Sequence, residues 1–271
     1  MIKVGEESGT LEDVLKVLTE QMEREHDLRS KILGALMYPA VILGAMAGIG
    51  VLMLIMVVPK LAETFKELDV ELPATTRLVI FLGNFLAEKW YLAILIIVAI
   101  VILIRLAART KQGKKLIDKT ILKIPLISSL VKKTNSVYTT RTLSSLITAG
   151  VPIVRSLEIV SQSLSNFYFR EALKNAAEKV RKGGKLSESL LPYQNIYPSL
   201  VLEMVAIGEE TGETSAILGK LADFFEEEVT NITKNLSSVI EPILMLIIGG
   251  VVGFFAVSMV QPMYSMLGAI E

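Results

Sequence analysis

Two stretches of this chain, Gly34–Val58 and Pro242–Ile270, carry no charged residue over a length that exceeds the thickness of a bilayer. About 20 apolar residues in a helix cross the roughly 30 Å hydrocarbon layer, where every backbone polar group must find its partner within the segment. Such runs dictate helices. A third run, Trp90–Ile104, is shorter, but Arg105 can snorkel and Leu106-Ala107-Ala108 lengthens it to Arg109. Composition agrees, since 52% of the 271 residues are hydrophobic and the mean hydropathy is +0.54. Met1–Glu25 is acidic and lacks a basic region followed by an apolar core, so no signal peptide is expected.

Lysine and arginine near the span ends set the orientation. The link Pro59–Lys89 holds Lys60, Lys66, Arg77 and Lys89 against five acids, whereas Arg105, Arg109, Lys111, Lys114, Lys115, Lys119 and Lys123 follow the second run with Asp118 as the only acid. That basic side is expected to be cytoplasmic. The formal charge of zero then divides into 19 basic and 13 acidic residues over Arg105–Asn235, against 9 and 13 over Met1–Ile104, with Glu241 and Glu271 making up the balance. Trp90 and Tyr91 fit an interfacial belt at the outer end of the second span.

The chain also repeats itself. Gly5-Glu6-Glu7-Ser8-Gly9 recurs as Gly208-Glu209-Glu210-Thr211-Gly212, an offset of 203 residues. With no gap, that offset maps Leu15 onto Leu218, Leu18 onto Leu221, Glu23 onto Glu226, Pro39 onto Pro242, Gly50 onto Gly253 and Pro59 onto Pro262. Each copy reads as an acidic glycine turn, a charged amphipathic helix, a proline at the membrane surface and a span closed by another proline. In the first helix Leu11, Val14, Leu15 and Leu18 share one face, as do Ile217, Leu218, Leu221, Phe224 and Phe225 in the second. Thr10 and Asp13 form a capping pair at the first of these helices. Tyr138–Ile207 reads as three or four amphipathic helices broken at Gly150-Val151-Pro152, Gly183-Gly184 and Pro192–Pro198.

The expected fold is an all-α integral membrane protein, with duplicated cytoplasmic helical bundle units and three transmembrane helices. The boundaries run as follows: the C-terminal half of a first cytoplasmic repeat at 1–35, spans at 36–58, 87–108 and 238–263, a short periplasmic loop at 59–86, a second cytoplasmic repeat at 109–235, and a periplasmic tail at 264–271. The 66 residues Tyr138–Glu203 of the second copy have no counterpart before Met1. A chain beginning at Met1 is therefore expected to be N-terminally truncated, by a misplaced start, a partial gene or a designed fragment.

With no cysteine and one histidine, disulfides, thiolate nucleophiles, cysteine zinc sites and ordinary serine–histidine triads are excluded or nearly so. Neither Gly183-Gly184-Lys185 nor Gly219-Lys220 lies in a phosphate-loop frame. No enzyme, cofactor or metal is expected. The two glycine turns admit a partner contact through Glu6, Glu7, Glu209 and Glu210, or a helix break in which Gly5, Gly9, Gly208 and Gly212 serve the backbone while the carboxylates are solvated. Pro39, Pro59, Pro242 and Pro262 mark kinks of the membrane helices, either as hinges or as tolerated breaks near the surface. Gly44/Gly48 and Gly249/Gly253 space small residues for close packing of spans or copies. The basic run Arg105–Lys133 lacks interleaved aromatics, so it reads as a topology signal beside anionic lipid rather than a nucleic-acid site, with docking of an acidic partner surface as a further use. A small transporter or channel subunit is the competing function. It would require charges at mid-membrane, and none occurs between Ala40 and Val58 or between Ile243 and Ile270. A receptor would need an outer domain larger than Pro59–Lys89.

Taken together, the segment Leu143-Ser144-Ser145-Leu146-Ile147-Thr148-Ala149-Gly150-Val151-Pro152-Ile153, the paired Gly-Glu-Glu-Ser/Thr-Gly turns and the proline-bounded spans resemble the type II secretion system F family. The resemblance covers essentially the whole chain. It implies a non-enzymatic, multi-pass platform in the bacterial inner membrane, for which the charge asymmetry predicts a cytoplasmic N-terminus and a periplasmic or extracytoplasmic C-terminus. It also implies partners: a cytosolic hexameric ATPase, pilin or pseudopilin subunits, other inner-membrane assembly proteins and further copies of the chain.

Overall fold

A computed structural model describes residues 11–67, 72–125 and 127–267. Among these there is no strand, as expected for an all-α protein. Eleven α-helices follow one another: α1 (Leu11–Met56), α2 (Val58–Glu67), α3 (Ala74–Glu88), α4 (Trp90–Arg109), α5 (Lys111–Ile121), α6 (Ile127–Thr148), α7 (Ile153–Ser163), α8 (Phe167–Arg181), α9 (Leu186–Leu190), α10 (Ser199–Thr211) and α11 (Thr214–Leu267). A 3-10 turn, Leu191–Tyr193, joins α9 to the link before α10. Three stretches are long and apolar enough to cross a membrane: Leu18–Glu67, Trp90–Arg109 and Thr214–Pro262. Every residue of α4 is exposed or only half-buried, as a lipid-facing span requires.

The chain divides into two units, residues 1–33 with 106–234 and residues 34–105 with 235–271. The first is a helical bundle whose core draws on α1 and α6–α11. Phe169, Leu143, Leu146, Leu157 and Leu173 are fully buried, and the Tyr197 ring meets Phe169 edge-on at 4.9 Å. Burying such side chains supplies about 1.5–3 kcal/mol each.

The helix ends follow local chemistry. α6 stops at a Schellman turn: Gly150 adopts φ +78°, its N–H donates to Ile147, and the N–H of Val151 donates to the Leu146 carbonyl at 2.9 Å. Pro152 then opens α7. All the breaks read from glycine and proline are present. One more occurs at Leu164-Ser165-Asn166, where the Asn166 side chain caps α8 by accepting from the Tyr168 N–H at 3.0 Å.

In the second unit, residues 59–86, expected as a loop, carry α2 and most of α3. These helices have a packed seam, not merely a path across the surface. Val58, Val79 and Met259 are buried together, with Leu54, Leu61, Ile80 and Phe255 around them. Gly83 lets α3 approach closely, since a Cβ there would lie 2.7 Å from the Leu54 carbonyl oxygen. The buried Thr76 hydroxyl donates to the Ser258 carbonyl of α11 at 2.5 Å. So short a segment is too small to fold alone, and it folds by packing against span residues.

Candidate functional site: the acidic turn and the ion-paired helices

Gly208-Glu209-Glu210-Thr211-Gly212 forms the end of α10, and α11 begins two residues later. Gly208 is buried at a close crossing, where a Cβ would meet the Thr214 Cα at 3.0 Å. The Thr214 hydroxyl donates to the Gly208 carbonyl at 3.0 Å, and the Thr211 hydroxyl donates to the Ile207 carbonyl at 2.8 Å. Gly212 ends α10 in the left-handed region at φ +76°. These bonds make the motif a tight corner between two helices.

Its two carboxylates part company. Glu209, expected either to meet a partner or to be solvated, is half-buried and accepts from the backbone N–H groups of Leu186 and Ser187, the latter at 3.0 Å, and from the Ser187 hydroxyl at 2.6 Å. Lys185 precedes α9 without a side-chain cap of its own. Glu209 therefore caps α9 from 22 residues away, satisfying the orphan donors of a helix N-terminus. Sequence spacing could not reveal this, because capping is normally local. Glu210, by contrast, is exposed and is the motif carboxylate available to a partner. Gly5, Glu6, Glu7, Gly9 and the Thr10 cap lie outside the described residues, and the Asp13 side chain is likewise not described.

Between α1, α6 and α11 the two repeat copies meet through charge. The Arg141 guanidinium donates to Glu226 at 3.0 Å and to Asp223 at 2.5 Å, and Arg24 lies 3.5 Å from Glu226 and 3.8 Å from Asp223. Burial works against the Arg141 charge, but its bonds to Asp223 and Glu226 outweigh it and push the pKa further up. Arg141 is thus a permanent cation clamped by two carboxylates of α11. Beside it Leu28 is buried against the core, and burial raises the Tyr138 phenol with help from Glu25, Arg29 opposing. Glu226 was visible in sequence only as the repeat partner of Glu23. Its mate Arg141 had no periodic signal, since it lies on another helix.

Pro39 is buried and Pro242 exposed, and α1 and α11 run on through both. Pro59 occupies the second position of α2, where its missing N–H costs nothing, whereas the buried Pro262 lies inside α11. A Cβ placed on Gly44, Gly48, Gly249 or Gly253 would meet nothing within 4 Å, so these positions are open. Among the described residues no group of three potential metal ligands comes together.

A duplicated helix that opens beside an acidic turn and continues as a candidate span, in an all-helical membrane protein, defines a class of repeat-built multi-span proteins. A family model, type II secretion system protein F, matches residues 1–59 and 139–262. The two stretches end at Pro59 and Pro262, one repeat offset apart. The chain belongs to this family. It is 33% identical over its whole length to a type IV pilus assembly protein PilC of Thermus thermophilus, covering 67% of that protein. It is 34% identical to PilC of Pseudomonas aeruginosa over 98% of this chain and 71% of that one. A type II secretion system protein F of Xanthomonas campestris is 33% identical over all of this chain and 66% of its own length. The chain thus spans about two thirds of the length of these relatives.

Proposed function

We propose that this chain is the inner-membrane platform of a type II secretion or type IV pilus machine, coupling a cytosolic ATPase to the assembly of pilin or pseudopilin subunits. One observation carries the reading: relatives named for pilus assembly and for type II secretion match the chain end to end at about one-third identity. The platform does no chemistry of its own in this account. Its bundle, residues 106–234 with the start of α1, faces the cytoplasm, and 59–89 and the C-terminus lie on the other side of the inner membrane, following the excess of lysine and arginine after α4. The ATPase docks on the bundle, with Glu210 among the contacts. The prolines of α1 and α11 sit where a helix lacks one backbone bond and bends at low cost. The transporter reading has no mid-membrane charge to work with.

Full-length chain extracted in mild detergent is expected to co-purify with a hexameric ATPase of its host, and Glu210→Lys is expected to weaken that capture while leaving insertion and accumulation intact. Recovery without any ATPase would argue against the coupling role. Undiminished capture by Glu210→Lys would remove the turn from the interface alone.

A further inference from the structure

We propose that α5 is an interfacial helix whose outward face, Lys111, Lys115, Lys119 and Leu116, rests on anionic phospholipid beside the second span. The three lysines recur every four residues and all are exposed, so they form one stripe. No acid interrupts it. Asp118, the only carboxylate of α5, is half-buried, and it accepts from the Phe167 N–H at 2.7 Å at the start of α8. The Lys115 ammonium sits 5.2 Å from the Phe167 ring centroid, which steadies its stem while the residue stays exposed. Leu116 shares the face and is 67% exposed, and Ile124 and Ile127 continue the apolar exposure just beyond. Large apolar side chains among lysines are poorly matched to water and well matched to the headgroup and acyl boundary.

Position favours a lipid over an acidic protein as the occupant. Thr110 alone separates α5 from the end of α4, the most apolar helix of the chain. The Thr110 hydroxyl caps α5 by accepting from the Gly113 N–H at 3.0 Å. The corner is closed: a Cβ on Gly113 would stand 2.0 Å from the Ala107 carbonyl oxygen, so the first turn of α5 lies against the last turn of the span. A stripe of lysines held there lies within the reach of a leaflet's surface potential, which decays over about 10 Å at ordinary ionic strength.

The chain has no cysteine, so single cysteines can be labelled without background. Leu116→Cys in the full chain would carry a bimane and be placed in nanodiscs of phosphatidylcholine, with or without about one third phosphatidylglycerol, containing a lipid-borne nitroxide near the headgroup. Quenching at 116 is expected to be at least about twofold stronger in the anionic discs, and about 0.5 M salt is expected to abolish the difference. Lys111→Gln/Lys115→Gln/Lys119→Gln is expected to erase it as well, while a label at Ile97→Cys in mid-span is quenched equally throughout. Equal quenching at 116 in both discs, or a label that lipid nitroxide does not reach, would overturn the proposal and leave the stripe as a protein-docking face. The comparison of discs on the parent chain stands even if the triple variant fails to fold.

Discussion

The N-terminal halves of α1 and α11 are two readings of one pattern. Both helices start at the same point of the repeat, Leu11 and Thr214, and both place leucine at matched positions. Their surroundings differ. Leu218 and Phe225 are 1% and 2% exposed under α6–α10, whereas Leu15 and Met22, their equivalents, are 42% and 63% exposed. Among the described side chains, α1 joins the same core further along, at Leu28 and Ile32. Amphipathic spacing specifies which face of a helix is apolar, and a different set of residues decides whether anything covers it. Where the copies do meet, the ion pairs of Arg24 with Asp223 and Glu226 of α11 accompany the apolar contact of Leu28 and Ile32 with the shared core.

Mutations should separate the copies by magnitude. Leu218→Ala removes packed methyl groups and is expected to cost about 3 kcal/mol, against less than about 0.5 kcal/mol for Leu15→Ala. Thermal loss of monodisperse protein in detergent would report both, and equal losses would break the comparison. Glu209→Ala strips three hydrogen bonds from the start of α9 and is expected to destabilise by about 2–3 kcal/mol, while Glu210→Ala should be nearly silent in the same assay. The contrast between adjacent carboxylates of one motif is the sharper half of that test.

At the junction of the copies, Arg141→Met leaves Glu226 poorly paired and is expected to cost about 2 kcal/mol. Arg24→Met, whose charge is half in solvent, should cost less than about 0.5 kcal/mol and less still at high salt. A further effect depends on pH and grows in alkali. Burial holds the Tyr197 phenol above its ordinary range, its bond to Thr139 opposing only weakly. The unfolded chain therefore loses that proton first. Stability is complete below pH of about 10 and falls as pH rises beyond it, with a slope of up to about 1.4 kcal/mol per unit. Tyr197→Phe is expected to flatten this slope in denaturation measured from pH 8 to 11, at a cost of about 1 kcal/mol at neutrality.

Much of the fold was legible because membranes and glycines leave strong marks. Charge-free runs set the spans, and Gly150, Gly183 and Gly212 each end a helix with positive φ. The break at Leu164–Asn166 was missed because an asparagine cap without glycine or proline is a weaker signal, though Asn166 ahead of an apolar run was there to be read. Helices α2 and α3 were hidden for another reason. Their seam with Met259 and Phe255 joins residues about 180 positions apart, which no local pattern encodes. The turn at Gly208–Gly212 was found by repetition, yet the division of labour between Glu209 and Glu210 depends on where α9 lies.

The coupling role is tested most directly in the host. With the chromosomal gene deleted, the sheared surface fraction should contain no assembled pilin or pseudopilin filaments while their subunits still accumulate in the membrane, and the gene supplied in trans should restore them. Filaments present at the parental level without the gene would contradict the account.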